Sequence, residues 1–104
     1  MAEPAERLRI VGFDLPSISS WPVGVRQHVF ALLSLRPSSE WMKAFDAELE
    51  EARRDLRDAS PIIEGDRIVF LALPSNVGSL RMALNDLVRG TEARLSQRDP
   101  GHPR

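Results

Sequence analysis

The chain of 104 residues contains no cysteine. Disulfide frameworks, thiolate zinc sites, iron–sulfur clusters and cysteine nucleophiles are excluded, because each needs sulfur. Long hydrophobic runs are also missing. The longest, Val29–Leu33 and Ile68–Leu73, have five and six residues, against the roughly 18–20 that span a bilayer. No membrane partner is expected. Met1 to Arg7 is acidic and lacks an apolar stretch, so no secretory signal is expected and the location is expected to be cytoplasmic.

A large charge of one sign is absent too: the formal net charge is -1. Its distribution is uneven, with +1 over residues 1–39, -5 over 40–66 and +3 over 67–104. Nucleic-acid binders draw affinity from a basic stripe that neutralises phosphates. An acidic middle and a mildly basic last third disfavour that class. Every basic residue except Lys43 is arginine.

What is present is one domain's worth of apolar residues, 42% of the chain, which is enough for a single core at this length. Arg7–Leu15 reads as a first strand. Pro16–Gly24 holds two prolines, a glycine and three serines, which break any regular element and make a loop that carries Trp21. Strand sequence resumes over Val25–Leu35. Pro37-Ser38-Ser39-Glu40 is helix-start chemistry, since a serine hydroxyl accepts from free first-turn N–H groups and a carboxylate favours the positive end of the helix dipole. The apolar stripe Met42, Phe45, Leu49, Ala52 and Leu56, widened by Trp41, predicts one helix over residues 38–58. On its other face Glu50, Glu51, Arg54 and Asp58 stand at helical neighbour spacing, a pattern of local ion pairs.

Ser60-Pro61 ends that helix. Ile62 to Leu73 reads as a short arm and a longer strand, 67–73, about a Glu64-Gly65-Asp66 turn. A second helix is predicted over 75–97 from the stripe Val77, Leu80, Leu84, Leu87, Val88, Thr91 and Leu95, with Ser75 as its cap and Gly90 as an internal weak point. The result is an α+β fold of two ββα units, forming a four-stranded, mainly antiparallel sheet with two helices on one face. The domain is expected to occupy 7–97, with 1–6 and 98–104 as flexible tails.

No catalytic, cofactor-binding or metal-binding set assembles from these residues. His28 and His102 are too few and too scattered for a metal site, and His28 lacks a nucleophile and orienting group beside it. Pro-Ser-Asn-Val-Gly-Ser at the second helix has no P-loop lysine, so Ser75 and Asn76 read first as a helix start. Trp21 has two readings, folded onto the core or exposed to a partner.

Alternation sends apolar residues of Val29–Leu33 and Ile68–Leu73 to both faces of the sheet. The helices can cover one. The other must meet the 16–24 loop, another protein or a second copy. The expected function is a small non-enzymatic interaction module, accessory, regulatory or inhibitory, acting as a homodimer. The alternative is a ligand-binding domain or compact enzyme with a site where Trp21, His28, Ser75 and Asn76 converge.

Overall fold

The computed structural model describes residues 7–98. Its elements run β1 (Ile10–Asp14), β2 (Gln27–Leu33), α1 (Ser39–Glu50), α2 (Arg54–Asp58), β3 (Ile62–Glu64), β4 (Arg67–Ala72) and α3 (Val77–Arg98). The four strands form one antiparallel sheet in the order β1-β2-β4-β3. Each half supplies a pair of strands followed by helix, and the two apolar strands, β2 and β4, lie side by side at the centre. Of the expected tails, 1–6 and 98–104, only Arg98 is among the described residues, and it is corrected to the last residue of α3; the rest lie outside them.

The β3–β4 hairpin turns at Gly65, whose φ of 62° suits a residue without Cβ. On the inner face, Val29, Ala31 and Leu33 of β2 and Ile68, Phe70 and Ala72 of β4 pack in one buried cluster with Trp41, Phe45, Leu80 and Leu84 of the helices. Phe13 of β1 joins this layer edge-on to Phe70, with ring centroids 6.5 Å apart. Trp41 stacks on Phe45 at 5.5 Å and gives its indole N–H to Glu92 of α3 at 2.8 Å. The same Glu92 oxygen accepts the Leu8 N–H at 3.2 Å, so one carboxylate joins α1, α3 and the segment before β1.

Helix starts follow the expected chemistry at α1, where the Ser38 hydroxyl accepts the Trp41 N–H at 3.1 Å. At α3 the expectation of a Ser75 cap is corrected. Asn76 immediately precedes the helix, its carbonyl accepts the Leu80 N–H, and its side chain accepts the Leu73 N–H at 2.8 Å. Ser75 stands exposed in the turn.

The single helix expected over 38–58 is broken. Glu51 closes α1, Arg53 is extended (φ -59°, ψ 150°) and α2 begins at Arg54. Beyond the kink, Leu56 and Ala59 join the buried cluster. The helix register also differs from the predicted stripe. Trp41, Ala44 and Phe45 are buried while Met42 is exposed. The break separates Glu50 and Glu51 from Arg54: Arg53 turns to Asp55 at 2.9 Å, and Glu48 and Glu51 meet Arg94 of α3 at 2.8 and 3.3 Å. The arginine's pKa is raised, chiefly by its hydrogen bond to Glu48.

Candidate functional site

The four residues singled out in the sequence do not meet. Trp21 is 4% exposed, belongs to the helix-side cluster and donates its indole N–H to the Val25 carbonyl at 2.7 Å. His28 is exposed on β2 opposite Leu71, with side chains that alternation directs away from that cluster. Trp21 and His28 thus lie on opposite sides of the sheet. Ser75 is in the turn, and the Asn76 side chain is committed to the Leu73 backbone. A recess that Asn76 shares with Arg26, Asp55 and Asp58 measures only about 100 Å³, below the roughly 300–1,000 Å³ of small-molecule pockets.

The outer face of the sheet is the first candidate surface. Cross-strand pairing aligns Phe30 with Val69 and Val69 with Ile62, and in the adjacent row Leu32 with Arg67 and Arg67 with Glu64. Paired residues share a face, so these rows make an apolar centre with charges beside it, in which Val69 is already buried and Phe30 half-buried. Leu32 is 39% and Ile62 59% exposed. With Trp21 drawn to the helix side, this aromatic of the 16–24 loop does not cover the outer face.

Arg67 lies across the centre. Its guanidinium carbon is 4.5 Å from the centroid of the Phe30 ring, and it pairs with Glu64 at 3.7 Å. Such a cation–π contact at an exposed site is worth about 0.5–1 kcal/mol, enough to hold a partial cover and too little to seal the face. On β1, Asp14 is aligned with Phe30 and adds a carboxylate to the rim.

Comparison with family models, curated proteins and solved structures finds no match to this chain. Among the described residues, no helix is long and apolar enough to cross a membrane.

A second concavity lies between the α1–α2 segment and α3, with a volume of about 470 Å³. The sequence gives no signal for it, because it opens where the helix breaks among Glu51, Ala52 and Arg53, all ordinary helix residues. Arg94 holds its two walls together through Glu48 and Glu51.

Proposed function

We propose that the protein is a non-enzymatic interaction module that pairs with a second copy of itself through the outer face of its sheet. The observation that carries this reading is the exposed pair Leu32 and Ile62, beside a half-buried Phe30, on a sheet side whose opposite face alone receives the helices. Apolar surface left in water forfeits about 25 cal/mol per Å².

A second copy fits the chemistry of the rim. Asp14 and Glu64 share the face with Arg67, so the patch carries both signs and can pair its charges with those of the same patch on a second copy. Its extent sets the strength. Four strands about 4.8 Å apart and five residues long make a footprint of roughly 350 Å². Stable interfaces bury about 800 Å² per partner, so the pair belongs to the weak, reversible class. Arg67 fits that class as well, since it shields Phe30 in the monomer and must be displaced or buried on pairing.

Light scattering on Leu32→Asp tests the reading. The substitution places a carboxylate in the proposed interface at a residue already exposed in the monomer, so the fold survives and the dimer is lost. A Leu32→Asp protein that pairs as the unsubstituted chain does would refute it.

A further inference from the structure

Four residues make the middle of the outer sheet face, two on β2 and one on each strand beside it. Phe30 is aligned with Asp14 of β1, and Leu32, the next residue of β2 on the same face, is aligned with Arg67 of β4. Two apolar side chains therefore stand between an acid on one flank and a base on the other. Gly12 of β1, aligned with Leu32, carries no side chain to cover it, and Leu32 is exposed.

Asp14 and Arg67 do not pair within one copy. They stand two strand spacings and two residues apart, roughly 12 Å between backbones, with β2 between them. Among the described residues Asp14 makes no ion pair, and Arg67 has only Glu64, at 3.7 Å. That separation is longer than a hydrogen bond, and an exposed pair of this kind contributes little. The guanidinium, with five N–H donors, rests over the Phe30 ring.

The two charges are placed symmetrically about the middle of β2. From the point between Phe30 and Leu32, Asp14 lies one strand across and one residue along, and Arg67 lies one strand across and one residue along in the opposite directions. Consider two such faces packed about a twofold axis that passes through this point and crosses the line from Asp14 to Arg67 at a right angle. The axis exchanges the two positions, so that opposite charges meet twice. Glu64, on the outermost strand, is farther from the axis than either.

We propose that two copies register in this way, with Arg67 of each paired to Asp14 of the other and Phe30 and Leu32 of both copies enclosed between the two ion pairs. The proposal rests on the pairing through the outer sheet face put forward above and names the residues that fix its geometry. Apolar contact supplies the attraction, while the reciprocal ion pairs select one register and disfavour the others, which bring like charges together.

Reciprocal charge reversal on the full chain tests this register. Asp14→Arg and Arg67→Asp should each weaken self-association by about tenfold or more, since each places two like-charged contacts in the homodimer. Mixed one to one, the two variants should recover most of the lost affinity, because both contacts of the mixed dimer again join an arginine to an aspartate. Sedimentation equilibrium gives the strength, and native mass spectrometry identifies the mixed dimer by its mass. The double variant should recover self-association for the same reason. Glu50→Arg, exposed on α1, changes the net charge as Asp14→Arg does and should not restore pairing to Arg67→Asp. If Arg67→Asp fails to fold by circular dichroism, Arg67→Glu replaces it with the same expectations. Three results would overturn this register and leave the sheet interface standing: self-association that neither reversal weakens, a mixture or double variant that recovers nothing, or a Glu50→Arg control that restores pairing equally well. An unsubstituted chain that stays monomeric at every concentration would remove the interface itself, and the register with it.

Discussion

Glu48 of α1 lies directly against Gly90 of α3: a Cβ built on Gly90 would stand 2.6 Å from Glu48 Oε1. The glycine is therefore the opening through which Glu48 reaches Arg94, 2.8 Å away. A Cβ there would push the Glu48 carboxylate, the end of a flexible side chain, against its contact with Arg94.

Gly90→Ala should fail to deliver the stabilisation of about 1 kcal/mol that alanine normally brings to a helix interior. In a Glu48→Ala background the same change should deliver it. Urea denaturation of the four proteins of this cycle measures the coupling, expected at about 1 kcal/mol. Equal effects of Gly90→Ala in both backgrounds would show that the contact carries no energy.

Removal of the Glu92 carboxylate should destabilise the domain by about 1–3 kcal/mol, because Glu92→Ala strands both the Trp41 indole N–H and the Leu8 N–H. Glu92→Gln keeps one acceptor oxygen and should cost less. Chemical denaturation followed by tryptophan fluorescence gives the order Ala worse than Gln.

Phe45→Ala and Leu84→Ala should each cost about 2–5 kcal/mol, since both side chains are fully buried in the helix-side cluster. Met42→Ala, from the same predicted stripe as Phe45 but exposed, should cost under about 1 kcal/mol. Comparable losses at positions 42 and 45 would contradict the register of α1.

Ser60 follows α2 with φ at 53°, a left-handed conformation with a Cβ attached. Ser60→Gly should raise stability by about 0.5–1 kcal/mol, because glycine adopts this helix-end geometry without the steric penalty. A thermal melt that falls on this substitution would contradict that reading of the turn.

The strands were legible because β2 and β4 are short runs of apolar residues, and the hairpin because Gly65 stands between two such arms. The outer face was legible for the same reason, since alternation places Phe30 and Val69 opposite the residues that meet the helices. The break at Arg53 was not. Glu51, Ala52, Arg53 and Arg54 all favour helix, and what separates α1 from α2 is tertiary: the burial of Leu56 and the pull of Arg94 on Glu48 and Glu51. The cleft follows from that break and was hidden with it. Trp21 had two readings because its partner, the Val25 carbonyl, lies in its own loop, where no periodicity reports it.

Sedimentation equilibrium across roughly 5–500 μM tests pairing through the sheet face most directly. The unsubstituted chain should dimerise reversibly within this range, as a small interface of the transient class does. Arg67→Ala should weaken the dimer by leaving Asp14 and Glu64 without an opposite charge on the face, and Leu32→Asp should remain a monomer throughout. A chain that is monomeric at every concentration would contradict the account.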